Sequence, residues 1–138
     1  MDYFNEAFGG FRPQSDEDAA LKFSLNVILM DDRLSHLIES LSPSSKIGGF
    51  EGVPGWLLEW RHGGETRGYE NWPDLAMFRA YVDPQEFRLE HPEFFCDCQT
   101  FYAILCSAIK AYLERHPNQA PNIETALSSS PNVPSHFN

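Results

Sequence analysis

The chain has 138 residues, of which 42% are hydrophobic and 14% aromatic, a composition typical of a globular domain with its own core. A domain of this length buries about two thirds of its unfolded surface, so folding needs neither a metal nor a disulfide. The formal net charge is −10, and such a field repels nucleic-acid phosphates and anionic membranes. We therefore expect no direct binding to nucleic acid or membrane, and a basic protein as the favoured partner.

The N-terminal stretch "MDYFNEAFGG" carries acids and lacks the basic region of a targeting signal. The longest apolar run, around "NVILM", is far shorter than a membrane span requires. An odd number of cysteines in a chain without a secretory signal indicates free thiols in a reducing compartment. These features predict a cytoplasmic protein.

Two elements are predicted in the first third of the chain. Apolar and polar residues alternate from Leu21 to Leu29, which favours a half-buried strand. The competing interpretation is a helix with Ser15 as its N-cap. The next stretch, "DDRLSHLIESLS", predicts an amphipathic helix capped by Asp31 or Asp32.

The middle of the chain predicts strands. "GWLLEWRHGGETRGYENW" is typical of a hairpin that turns at Gly63 and Gly64, because a Gly-Gly pair readily adopts positive backbone angles. In the register set by that turn, Trp60 would lie opposite Arg67. Two further strands are predicted at "LAMFRAYV" and "EFRLEH".

The clearest helix pattern is "CQTFYAILCSAIKAYLERH", with Asp97 as its N-cap and Pro117 at its end. Beyond it, Pro, Ser and Asn dominate, which predicts a flexible C-terminal tail over residues 118–138. Residues 1–117 are predicted to form a single α+β domain. Its antiparallel sheet has about four or five strands, with two helices packed on one face.

The stretch "HPEFFCDC" raises the question of a metal site. His91, Cys96 and Cys98 supply at most three ligands, and Cys106 lies about 12 Å further along the helix axis. Because no second Cys or His cluster has metal-binding spacing, we predict no metal and no cofactor. Nucleophile, phosphate-loop and dinucleotide-binding motifs are also absent from the sequence, which predicts no catalytic residues and a protein that is not an enzyme.

Acids and aromatic residues alternate through the part of the chain that follows residue 50. Aromatic anchors with a charged rim are typical of tight protein interfaces, and acidic complementarity speeds association with a basic partner. At least one tryptophan is expected to be partly exposed. The predicted partner-binding residues are Glu59, Trp60, Glu65, Tyr69, Glu70, Trp72 and Asp74.

The small size, the acidic charge, a "WP" turn and the closing helix "FYAILCSAIKAYLERHP" resemble the cytoplasmic immunity proteins of bacterial polymorphic-toxin and contact-dependent growth inhibition systems. The resemblance extends over residues 20–117 in size, charge and element order, and it carries over no functional residue. It implies that the protein binds a cognate toxin domain, often a basic nuclease, and blocks its active site. Two alternatives stay open: an acidic nucleic-acid mimic or adaptor for a basic protein, and a small-molecule-binding domain with a pocket of Trp56, Trp60 and Tyr69.

Overall fold

The computed structural model describes residues 2–45, 48–52, 55–61 and 65–134. Within these ranges the chain has the predicted α+β fold, with one antiparallel sheet of four strands in the order β1-β2-β3-β4. Helices are more numerous than the two predicted. The elements are α1 (Phe4–Phe8), α2 (Ala19–Met30), α3 (Leu34–Ser40), β1 (Gly49–Gly52), β2 (Trp56–Trp60), β3 (Phe78–Val82), β4 (Glu93–Cys96), α4 (Cys98–Arg115), a 3₁₀ turn (Pro117–Gln119) and α5 (Ala120–Ser128).

The core lies on one face of the sheet, which we call the inner face. Alternate residues of β2 and β3 are buried there, as predicted for β3: Trp56, Leu58, Trp60, Phe78, Ala80 and Val82. Helix α2 packs against three of the strands. Phe101 of α4 stacks on Phe78, with 3.7 Å between ring centroids and 5° between planes. The other residues of β2 and β3 lie on the opposite side, the outer face, which also carries Glu93 and Phe95 of β4.

The strand predicted from Leu21 to Leu29 is wrong, because these residues form most of α2. Ser24 and Asn26 suggested a polar face, but both side chains are buried. The Ser24 hydroxyl donates to the Ala20 carbonyl at 2.9 Å, and the Asn26 side-chain oxygen accepts from the Tyr3 amide at 2.8 Å. A helix that is buried on all sides can contain polar residues if their side chains form hydrogen bonds within the protein. The alternation of polar and apolar residues therefore did not mark a side that faces solvent.

Helix α3 confirms the predicted helix, but neither Asp31 nor Asp32 caps it, since its N-cap position is Arg33. Asp32 instead follows the C-terminus of α2. Its φ of +56° is left-handed. The Asp32 and Arg33 amides donate to the carbonyls of Leu29 and Ile28, at 3.2 and 2.9 Å. This pair of bonds satisfies free carbonyls at a helix C-terminus in the Schellman arrangement. The Asp32 carboxylate also accepts a hydrogen bond from the Tyr112 hydroxyl at 2.8 Å.

The hairpin partner predicted for β2 is wrong. Its Gly-Gly turn lies outside the described residues, and residues 67–72 form turns rather than a strand. Strand β2 pairs instead with β1 and β3, and Trp60 lies opposite Phe78 rather than Arg67. The register of the sheet is therefore set by the pairing of β2 with a strand that lies further along the chain.

The junction between β4 and α4 is close to the prediction. The strand predicted at 86–91 is wrong, because strand pairing begins only at Glu93. Asp97 is the N-cap of α4, as predicted, and its side chain accepts from the Thr100 amide at 2.8 Å. Hydrogen bonding to the Thr100 amide lowers the pKa of Asp97. The stretch "HPEFFCDC" thus carries the chain from sheet to helix.

The flexible tail predicted for residues 118–138 is contradicted over its described part. Residues Ile123, Ala126 and Val133 are buried in the core, and the Ser130 hydroxyl donates to the Ile38 carbonyl of α3. Helix α5 has only nine residues, and its few apolar residues lie among Pro, Ser and Asn. The composition of this segment therefore gave no helical pattern from which α5 could be predicted. The C-terminal segment therefore packs on α3 as part of the domain.

We predict that Ile123→Ala lowers the free energy of unfolding by about 3 kcal/mol, because it leaves a cavity where a buried side chain was. Chemical denaturation followed by far-UV circular dichroism measures this. Glu124→Ala is the matched control, because Glu124 is an exposed neighbour on the same helix. Equal stability of Ile123→Ala and the wild type would show that α5 does not dock.

We predict that alkaline pH destabilises the fold through Tyr112. Burial, then the hydrogen bond to Asp32 and its charge, raise the pKa of Tyr112 to about 12 from its ordinary 10. Because folding favours the protonated phenol, its stabilisation is complete below pH 10 and disappears between pH 10 and 12, a loss of roughly 2 kcal/mol. Denaturation curves at several alkaline pH values measure the slope, which Tyr112→Phe should reduce. An unchanged slope in that variant would contradict the assignment.

Candidate partner-binding surface

The outer face of the sheet carries a charge ladder across three strands. Glu59 and Arg79 are direct cross-strand partners, which places their side chains side by side. The Arg79 guanidinium contacts Glu59 at 2.9 Å and Glu93 of β4 at 2.6 Å. Arg79 thus offsets one of the two negative charges that Glu59 and Glu93 bring to the outer face.

Residues 65–75 form a loop of consecutive turns beside this face. The amides of Tyr69 and Trp72 donate to the carbonyls of Thr66 and Tyr69, each at 3.0 Å. Gly68 has a φ of +89°, and its amide donates to the Glu70 side chain at 2.7 Å. Glycine adopts this positive φ at no steric cost, because it has no Cβ. The loop therefore has a defined shape without strand pairing.

Aromatic packing attaches the loop to the sheet. The rings of Tyr69 and Trp72 meet edge to face at 4.9 Å, and Trp72 meets Phe95 of β4 in the same way at 5.4 Å. The Arg61 guanidinium lies 5.8 Å from the Tyr69 ring centroid and 6.0 Å from that of Trp72. It also donates to the Glu65 carbonyl at 3.1 Å. Arg61 therefore holds the loop against the end of β2 by cation–π and hydrogen-bond contacts.

Five of the seven predicted partner-binding residues lie together on this loop. They are Glu65, Tyr69, Glu70, Trp72 and Asp74; with Leu75 we call them the loop surface. The three acids are exposed and the two aromatic rings are half-buried, so the expectation of a partly exposed tryptophan is confirmed at Trp72. Burial raises the pKa of Tyr69, and the negative charges of Glu65 and Glu59 raise it further.

The other two predicted residues lie elsewhere. Glu59 is on the neighbouring outer face, in the ladder with Arg79. Trp60 is only 2% exposed and points to the inner face, where a partner cannot reach it. Adjacent strand residues point to opposite sides, so Glu59 and Trp60 could not both face one partner. Sequence reasoning missed Leu75, because it lies in the predicted strand "LAMFRAYV", which begins only at Phe78, and Arg61, because it is neither aromatic nor acidic.

The pocket of Trp56, Trp60 and Tyr69 considered for a small molecule does not assemble. Trp56 and Trp60 are both buried against the core, whereas Tyr69 lies on the loop surface. A cavity of about 500 Å³ lies at the end of the sheet, and Trp60 is the one of these three residues that lines it. The aromatic rings that suggested a ligand pocket are therefore divided between the core and the loop surface.

The cysteines have the environment of structural thiols. Burial, followed by the nearby Asp97 carboxylate, raises the pKa of Cys96 to about 12, and the same two causes raise the pKa of Cys98. Burial raises the pKa of Cys106 as well. In the described ranges, no group of three or more His, Cys, Asp and Glu side chains is arranged to hold a metal ion. These thiols lack the lowered pKa that activates a cysteine at a helix N-terminus.

We predict that the three thiols of the native protein react slowly at pH 8 with 5,5′-dithiobis(2-nitrobenzoate). With a pKa of about 12, Cys96 is a thiolate in roughly one molecule in ten thousand at that pH. Absorbance at 412 nm follows the reaction, and the same sample in denaturant gives the full thiol count as a control. Rapid native labelling mapped to Cys96 by mass spectrometry would contradict the assigned environment.

No protein-family model matches the chain, and neither the curated proteins nor the solved structures contain a significant match. Over the residues that the structure describes, no helix has the length and apolar character needed to cross a bilayer.

Proposed function

We propose that the protein is a cytoplasmic immunity protein, which binds a cognate basic toxin domain, such as a nuclease, and blocks its active site. The observation that carries the proposal is the composition of the loop surface. It joins half-buried aromatic rings to exposed carboxylates on one short segment. This combination supports protein binding, because aromatic anchors supply affinity and a charged rim supplies the rate of association.

The packing of the loop favours tight binding. The Trp72 ring is held between Tyr69 and Phe95. The Arg61 guanidinium lies beside the rings of Tyr69 and Trp72. Rings that are already ordered in the free protein lose little conformational entropy when a partner covers them. The loop surface is thus preorganised, as expected of a protein that must neutralise its target at low concentration.

The charge of the chain favours a basic partner. The net charge is −10, and Glu65, Glu70 and Asp74 are exposed on the loop surface, with Arg67 as a nearby counter-charge. A nuclease domain carries basic residues where it binds phosphates, so an acidic surface is attracted to its substrate groove. Occupying that groove would exclude the nucleic acid, which explains inhibition without any catalytic group on this chain.

The proposal is tested by co-expressing the chain with individual basic nuclease toxin domains in a sensitive bacterium. We expect growth to be restored against one cognate domain, and the purified pair to form a 1:1 complex that weakens as salt is raised. The double variant Glu65→Gln, Asp74→Asn should associate about threefold more slowly at low salt. The control Glu17→Gln, Glu124→Gln removes the same charge at exposed positions outside the loop.

The outcomes separate this function from the alternatives. Binding to a basic DNA-binding protein without protection against any toxin domain would favour an acidic mimic or adaptor. Failure to bind any basic protein at low salt would reject both binding functions. A thermal shift with a metabolite, and none with a basic protein, would favour the small-molecule alternative.

A further inference from the structure

Leu75 combines two unfavourable features in one residue. Its side chain is 80% exposed, and its φ is +67°. The Ala76 amide donates to the Pro73 carbonyl at 3.1 Å, which makes Leu75 the third residue of a turn. A positive φ at that position is favourable for glycine and costly for a residue with a Cβ. Neither the turn nor the core of the free chain requires leucine here.

The turn uses the positive φ of Leu75, but the contrast with Asp32 gives no structural reason for a leucine side chain there. These two are the non-glycine residues of positive φ in the described ranges. Asp32 ends α2 and binds Tyr112, and aspartate tolerates the left-handed region better than most residues. Leu75 belongs neither to the core nor to the apolar residues packed against it. Strained backbone positions cluster at active sites and ligand-binding segments, so the strained, exposed leucine leads to a hypothesis of binding.

The other exposed apolar residues do have partners within the chain. Phe87, 38% exposed, packs on the Phe23 ring at 4.8 Å between centroids. Met30 is 47% exposed, and its sulfur accepts a hydrogen bond from the side-chain amide of Asn26 at 3.3 Å. Over the described residues, Leu75 is therefore the large apolar side chain whose exposure is greatest.

We propose that Leu75 is the apolar anchor of the loop surface, and that it inserts into an apolar pocket rimmed by Lys and Arg on a basic protein. That the loop surface contacts a toxin domain rests on the proposed function. The role of Leu75 as an anchor requires only that the partner is a basic protein. Asp74 directly precedes it and Glu70 belongs to the same loop; both are exposed and would face the basic rim. A second copy of this chain does not fit, because each copy carries −10 and the acids would oppose each other.

The first arm of the test uses the free protein and two variants. Leu75→Gly removes the backbone penalty, and we expect the equilibrium constant for folding to rise about threefold. Leu75→Ala keeps the Cβ and should leave that constant nearly unchanged. Urea denaturation measures both. A fall in stability with glycine would mean that leucine supports the free fold, and would overturn the proposal.

The second arm measures binding. The probes are catalytically inactivated basic nuclease toxin domains and a non-toxic, histone-like DNA-binding protein, each titrated by calorimetry at low salt. We expect both Leu75 variants to weaken the tightest complex about thirtyfold, since a buried anchor carries a large share of the binding energy. Met30→Ala is the control for loss of an exposed apolar side chain and should bind like the wild type.

Each result decides one or both proposals. Weakened binding to a toxin domain supports the anchor and the immunity function together. Weakened binding to the histone-like protein, with no toxin domain bound, supports the anchor and rejects immunity. Unchanged binding of the Leu75 variants overturns the anchor and leaves immunity standing, and absence of binding by the wild type to every probe overturns both.

Discussion

The burial of α2 on all sides is the constraint on which the rest of the structure depends. This helix packs against β2, β3 and β4 and also touches α1, α3 and α4. Its polar residues Ser24 and Asn26 can enter the core because each has a hydrogen-bond partner there. A buried polar group without a partner would cost about 1–3 kcal/mol, so these two bonds remove a penalty that would otherwise offset part of the gain from packing the helix.

The position of α2 also decides which side of the sheet meets other molecules. Because α2 and α4 cover the inner face, the tryptophans Trp56 and Trp60 of β2 become core residues. The outer face keeps charged side chains, but Arg79 pairs with Glu59 and Glu93 there. The half-buried aromatic rings and exposed acids of the loop surface lie beside this face, where Arg61 and Phe95 hold the loop in place.

The chain uses the same backbone conformation for two different purposes. At Asp32 the left-handed residue ends a central helix, and its carboxylate joins α2 to α4 through Tyr112. At Leu75 it presents an apolar side chain to solvent beside acids. The left-handed residue Asp32 stabilises the fold, whereas the same conformation at Leu75 destabilises the free chain. The net charge of −10 is likewise a cost to the free chain, because self-repulsion opposes the compact state.

Residue patterns alone were enough to predict β2, β3, α3 and the Asp97 cap of α4, since each of these has one buried and one exposed side or a local hydrogen bond. They also named Glu65, Tyr69, Glu70, Trp72 and Asp74 among the partner-binding residues, but predicted a strand where the structure has a loop of turns. Tertiary packing decided the rest. It made α2 a helix because both of its sides are buried, docked α5 through Ile123 and turned Trp60 inward. It also gave Leu75 its positive φ, because a backbone angle that opposes a residue's own preference leaves no trace in the sequence.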